Sequence, residues 1–234
     1  MDGPSGNACF ICPFQGSDLV TRSNSNSTSR QRLLEIATEV FAEQGFHNAR
    51  VRDICGRAGV NVAAINYHFG DKKGLYEEVM AHAFRELTGD DPTDFDFDPA
   101  APAEQRLEAF VLNLLSQLLS EGRRATYTRL VAREMVDATD ALTRVIEEGI
   151  RPQVDLLLEV LGDLLGPGAD ESLTRRCVSS IIGQCLFYHF ARPAILQLSL
   201  EEHLQPQAIQ PLASHVTAFS LAAIERLAAK AHAH

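Results

Sequence analysis

Residues 50–70 read Arg50-Val51-Arg52-Asp53-Ile54-Cys55-Gly56-Arg57-Ala58-Gly59-Val60-Asn61-Val62-Ala63-Ala64-Ile65-Asn66-Tyr67-His68-Phe69-Gly70. The first part predicts a short helix over Val51 to Ala58, with Ile54 and Cys55 turned inward. Gly59-Val60-Asn61 interrupts it. Gly59 permits the positive φ of a tight turn, and Asn61 is a capping residue for a second short helix, Val62 to about His68. Val60 and Ile65 are the apolar plugs between the two helices, and Gly70 breaks the chain again. Two helices joined in this way are the arrangement that delivers the second into the major groove of DNA.

Working outward, a first helix is expected from a Thr28 or Ser29 cap to about Gln44, where Gly45 ends it. Its apolar face is Leu33, Leu34, Ala37, Val40 and Phe41. On the other side, Asp71 caps a helix running to about Leu87, striped by Leu75, Val79, Ala83 and Leu87 with Tyr76 and Met80 beside them. Residues 1–28, ending in the run Ser23-Asn24-Ser25-Asn26-Ser27-Thr28-Ser29, are expected to be a disordered leader.

The acidic, proline-bearing stretch Gly89 to Ala101 marks a boundary between two helical parts. Beyond it, longer helices are expected at about Ala103–Ser120, Arg123–Val136, Ala138–Leu165, Glu171–Phe190 and Gln207–Ala231. Pro152 should kink or break the third near Ile150, Gly166-Pro167-Gly168 separates third from fourth, and Arg192-Pro193 ends the fourth. No segment keeps the period-two alternation of a strand. The expected fold is all-α, with a three-helix helix-turn-helix DNA-binding domain over 29–88 and a larger helical domain over 102–231.

The net charge of −10 opposes contact with nucleic acid until its distribution is considered. Arg22 to Thr88 carries nine Lys/Arg against eight Asp/Glu, whereas Gly89 to His234 carries 12 against 21. A phosphate backbone meets the local field, so an acidic body further along the chain does not prevent binding. Arg50 and Arg52, at a helix start, are candidate phosphate contacts, and Arg57 serves equally well as a contact or a solvated face. Asn61 and its adjacent amides can face a phosphate, and Ala63 and Ala64 are small enough to let the helix sit deep. Asn66, Tyr67 and His68 can reach base edges or phosphates, and Lys72 can hold the backbone.

The run from Arg52 to Tyr76, preceded by Ala42-Glu43-Gln44-Gly45-Phe46, resembles the DNA-binding domain of the TetR family of repressors; the resemblance extends over about Arg30 to Leu87. Three positions depart from the family pattern. Cys55 stands where alanine is usual, Arg50 where a Ser or Thr cap is common, and Asn66 where an aromatic is common. Asn66, with Ala132-Arg133-Glu134-Met135 and Gly183-Gln184-Cys185-Leu186-Phe187-Tyr188-His189-Phe190, is similar to the CecR-type branch. The resemblance implies a homodimer on a palindromic double-stranded DNA operator, with the helical domain over 102–231 binding effector in a pocket and dimerising.

Tyr127, Arg133, Glu134, Tyr188 and His189, polar groups on apolar helices, are the candidates for that pocket. Each has a structural alternative: Arg133 and Glu134 as a solvated or interface pair, His189 as a satisfied core histidine. The expected effector is a small, largely apolar molecule. The last helix carries Ile209, Leu212, Val216, Phe219, Ala223 and Leu227 in a stripe that suits either a core or a four-helix dimer interface. Five cysteines do not form a disulfide framework, Cys9 and Cys12 make one incidental CxxC, and Cys55 reads as a buried alanine substitute. His232 and His234 lack the neighbours a metal needs. Neither cofactor nor metal is expected. Nor is an enzyme, since no nucleophile elbow, phosphate-binding glycine loop or His/Glu metal spacing occurs. With no apolar run long enough for a membrane span and no signal-peptide pattern, the expected location is the cytoplasm. The alternative function is a DNA-binding regulator gated by a protein partner or by cysteine oxidation.

Overall fold

The computed structural model describes residues 18–95, 98–198, 200 and 204–231. Among the described residues, the regular elements are all helical. The N-terminal part is α1 (Asp18–Asn48), α2 (Val51–Ala58), α3 (Val62–Phe69) and α4 (Lys72–Thr88). The rest is α5 (Ala103–Leu118), α6 (Gly122–Val136), α7 (Ala141–Val145), a π-helical turn Ile146–Ile150, α8 (Arg151–Leu165), α9 (Glu171–Phe190), α10 (Arg192–Gln197) and α11 (Ile209–Ala231).

Most elements fall where the periodicity puts them, and three do not. α1 begins upstream of the Thr28 or Ser29 cap. No Gly or Pro intervenes between Asp18 and Gln44, and Ser and Asn are weak helix formers, not breakers. Cys9 and Cys12 lie outside the described residues, as do His232 and His234. Pro193 ends α9 but also opens α10, because a proline in a first helical turn gives up an N–H that had no intrahelical acceptor. Pro152 stands in the first turn of α8, which continues helical backbone from the π turn just before it, and that π turn is the irregularity expected near Ile150.

Two hydrophobic cores form, and they do not divide where the chain does. The first joins Leu33, Val40, Phe41, Ile54, Ile65, Leu75, Val79 and Met80 to Tyr127 and Leu130 of α6 and to Ala141 and Val145 of α7. The second packs α5, α8, α9 and α11 around Leu107, Leu115, Leu157, Leu161, Ile181, Cys185 and Val216. Truncating any fully buried leucine here to alanine would cost about 2–5 kcal/mol. Thus α6 and α7, beyond the Gly89–Ala101 segment, complete the core under the helix-turn-helix. A movement of α6 cannot leave α1 and α4 undisturbed.

Candidate nucleic-acid interface

The turn between α2 and α3 forms as its residues dictate. Gly59 is left-handed at φ 69°, its N–H reaching the Gly56 carbonyl, and Val60 N–H closes the end of α2 on the Cys55 carbonyl. Asn61 caps α3, its Oδ1 accepting from Ala63 N–H at 3.0 Å. Ile65 is the fully buried anchor of α3, with Val60, Ala64 and Phe69 packed partly against the same core. Asp71 caps α4 by accepting from Gly74 N–H at 2.8 Å.

Anchoring α3 through Ile65 turns Val62, Ala63, Asn66 and Tyr67 outward, with Tyr67 74% exposed. Ala64 and His68 are half-buried at the edges of that face. Arg50 and Arg52 are exposed beside it and make no ion pair among the described residues. Arg50 is also the N-cap of α2, where a guanidinium, having no acceptor, supplies no side-chain cap. Other nearby cations are engaged. Arg57 pairs with Glu43 at 3.3 Å, and Lys73 with Asp140 at 2.7 Å. Lys72 lies 4.7 Å from the centre of the Phe46 ring and donates to the His47 carbonyl at 3.4 Å. Partial burial holds its ammonium below the usual lysine pKa.

The polar residues expected in an effector pocket stand instead at contacts between elements. Glu134 is fully buried and accepts from Tyr76 Oη at 2.6 Å and from Thr139 N–H and Oγ1 at 2.8 Å each. Arg133 donates to the carbonyls of Glu43 and Gln44, at 3.4 and 3.3 Å, where Gly45 breaks the axis of α1. A Cβ on Gly45 would stand 2.6 Å from Arg133 Nε, so the glycine makes room for the guanidinium. Tyr127 is buried in the first core, edge-on to His82 at 5.7 Å. His189 Nδ1 bonds the Leu118 carbonyl at 3.0 Å, and Tyr188 packs partly against the second core. Arg133 and Glu134 therefore bolt α6 to α1 and α4.

A cavity of about 320 Å³ lies between the two cores. Phe84 and Leu87 of α4 form one wall, and α5, α6, α8, α9 and Ile150 of the π turn supply the rest. Among the described residues, sixteen line it, none of them charged, and their polar side chains are Gln117, Thr128 and Gln153. None of the five polar candidates from the sequence lies on its wall. Sequence periodicity marks α5, α6, α8 and α9 as apolar over more than a narrow stripe, but does not show which residues would leave a gap.

Cys55, Cys177 and Cys185 are buried thiols. Burial raises the pKa of each, that of Cys185 to about 12, so thiolate is scarce at neutral pH. Among the described residues no group of three or more His, Cys, Asp or Glu could hold a metal ion. Among them, too, no helix is long and apolar enough to cross a membrane.

A short capped helix, anchored by one buried residue and presenting a small, uncharged outer face between unpaired arginines, belongs to the class of helix-turn-helix DNA-binding regulators. Residues 33–79 match the family of bacterial regulatory proteins called tetR, and residues 103–224 match the C-terminal domain of the HTH-type transcriptional dual regulator CecR. The chain belongs to the TetR family and carries a CecR-type C-terminal domain. It is a transcriptional regulator, not an enzyme.

Curated relatives agree. CecR of Shigella flexneri is 26% identical over 182 residues, covering 72% of this chain and 78% of its own. SrpR of Pseudomonas putida is 28% identical over 136 residues, covering 54% of this chain and 61% of its own, short of two thirds. Among solved structures, a transcriptional regulator from Rhodococcus sp. Rha1 superposes with a TM-score of 0.57 at 19% identity, covering 83% of this chain and 97% of that one. One from Saccharomonospora viridis, in complex with choline, gives 0.54 at 18% identity, covering 82% and 95%. At these identities the superpositions establish the fold alone.

Proposed function

We propose that the protein is a cytoplasmic repressor, a homodimer that binds a palindromic operator through two copies of α3 and leaves it when a small, largely apolar effector fills the cavity. The domain over 29–88 reads DNA, and that over 102–231 binds effector and dimerises. Ala63, Ala64 and Asn66 face bases. Arg50, Arg52, Asn61, Tyr67, His68 and Lys72 hold the phosphate backbone. The unpaired arginines and the outward face of α3 support this division.

Dimerisation is supported by a second exposed face. Ser180, Gly183 and Phe187 on α9 lie outward, as do Phe219, Ala222 and Ala223 on α11, with Phe187 56% and Phe219 63% exposed. Small residues beside two outward phenylalanines suit a four-helix interface between copies. The stripe on α11 is split. Leu212 and Val216 are buried in the second core, while Phe219 and Ala223 point away from it.

The observation that carries the effector reading is that Phe84 and Leu87 of α4 form part of the cavity wall. α4 follows the recognition helix directly, so a ligand that moves this wall changes the spacing of the two recognition helices. A tenfold loss of operator affinity requires only about 1.4 kcal/mol of differential binding between the two spacings. The buried, protonated thiols leave less support for gating by cysteine oxidation. The test is to find apolar and aromatic compounds that raise the Tm of the full chain, then to measure operator affinity with each. Release by at least one is expected. If every stabilising compound leaves operator affinity unchanged, the cavity does not control DNA binding and gating by a partner protein or by oxidation takes its place.

A further inference from the structure

The three polar residues on the cavity wall are not equivalent. Thr128 Oγ1 is within bonding distance of the Gln117 and Arg124 carbonyls, at 2.9 and 3.1 Å, and of Ser120 Oγ at 3.1 Å. Gln117 Nε2 donates to Asn113 Oδ1 at 2.5 Å. Gln153 is 8% exposed, and its Nε2 is buried with no hydrogen-bond partner among the described residues. Buried polar atoms are satisfied in the great majority of cases, because an unmade bond leaves the cost of desolvation unrecovered. Gln153 thus brings to the wall of an otherwise apolar cavity a side-chain amide whose nitrogen has no partner among the described residues and is free to bond something that enters.

Resting on the reading that this cavity holds the effector, we infer that the effector is an uncharged apolar molecule bearing one hydrogen-bond acceptor, a carbonyl or its equivalent, and that Gln153 Nε2 recognises that acceptor. Among the described residues, no Asp, Glu, Lys, Arg or His lines the cavity, so an ion of either sign would be buried there without a counter-charge from them. Phe84, Phe110 and Phe190 provide ring surface, yet no Tyr, Trp or carboxylate accompanies them to cage a cation. Gln153 also stands where recognition would be felt. It follows Pro152 in the first turn of α8, immediately after the π turn whose Ile150 lines the same cavity and whose Gly149 lies against Phe84.

The test uses three probes on the full chain: 1-tetralone, its carbonyl-free counterpart tetralin, and tetramethylammonium, with affinities measured by calorimetry. Wild type should bind 1-tetralone at least tenfold more tightly than tetralin, and tetramethylammonium more weakly than either. Gln153→Met, which keeps length and helix propensity but removes the donor, should erase the tetralone preference and bind tetralin as well as wild type does or better. Equal affinity of wild type for 1-tetralone and tetralin, a preference that survives in Gln153→Met, tighter binding of the cation, or no binding of any probe to the limit of solubility would each overturn the inference. The wild-type comparison stands even if the variant fails to fold. Operator affinity, measured in parallel, separates the two readings. A Gln153-dependent tetralone preference without DNA release sinks the effector role and leaves the recognition intact. Release by apolar compounds that is indifferent to Gln153→Met does the reverse.

Discussion

The ring of Phe84 on α4 lies so close to Gly149 in the π turn that a Cβ on Gly149 would stand 2.4 Å from Phe84 Cε1. The same ring lines the cavity, so one side chain of the helix that follows the recognition helix meets both the turn that precedes α8 and the space where an effector would sit. Replacing a helical glycine by alanine ordinarily stabilises a fold by about 0.5–1 kcal/mol. Here the overpacking, about 1–3 kcal/mol, should outweigh that gain. Gly149→Ala is expected to lower unfolding free energy in urea, and adding Phe84→Leu should recover part of the loss. Additive effects of the two substitutions would show that the residues are not coupled.

The buried Tyr76–Glu134 hydrogen bond gives a dependence on pH. Burial, then the Glu134 carboxylate, push the Tyr76 phenol well above its ordinary value of 10.0. The folded protein therefore keeps that proton where the unfolded chain has lost it. The bond's stabilisation is fully present below about pH 10 and declines as pH rises beyond it. Tyr76→Phe should cost about 1–3 kcal/mol at neutral pH. The difference between wild type and variant should shrink in alkaline solution, as denaturation at pH 7 and pH 10.5 would show. A difference that is constant or growing with pH would contradict the assignment.

Lys72 and Asn66 should behave differently on DNA. Lys72→Met is expected to weaken all sequences alike and to reduce the salt slope of binding by about one. Asn66→Ala should relax preference at particular base positions, costing about 1–3 kcal/mol on the best site. Anisotropy titrations over a salt series, on operator and scrambled duplexes, would distinguish them. If Asn66→Ala weakens every duplex equally, Asn66 is a backbone contact. Because Lys72 also packs on Phe46, the Tm of that variant belongs beside its affinity.

Phe219→Glu places a carboxylate on the exposed face of α11 without touching either core. Sedimentation should report a monomer at micromolar concentration, with operator affinity reduced and an unchanged helical circular dichroism signal. A variant that remains dimeric would move the interface elsewhere.

The sequence disclosed whatever local chemistry controls. Gly59, Asn61 and Asp71 announce a turn and two caps, and the structure forms each one. The leucine and isoleucine stripes place nearly every helix, because burial of one face has one periodic signature. Contacts between distant segments leave no such signature. Arg133 and Glu134 stood out as polar residues on an apolar helix, but nothing local says that their partners are Gln44 and Tyr76, 89 and 58 positions away. Gln153 did not stand out at all. A glutamine in a first helical turn is ordinary until its surroundings are known. The π turn was legible only as a disturbance near Pro152, since one extra residue per turn alters hydrogen bonding and not composition.

The most direct measurement is selection of DNA duplexes with a randomised central region by the full-length protein, followed by sequencing of the bound pool. Two copies of α3 related by a two-fold axis should enrich one pseudo-palindrome, with half-site centres about one helical turn, roughly 10 base pairs, or a multiple of it, apart. Arg52→Ala should weaken binding to the selected duplex without changing its sequence. A bound pool with no enriched motif, or one with a single unrepeated half-site, would contradict a dimeric operator-binding regulator.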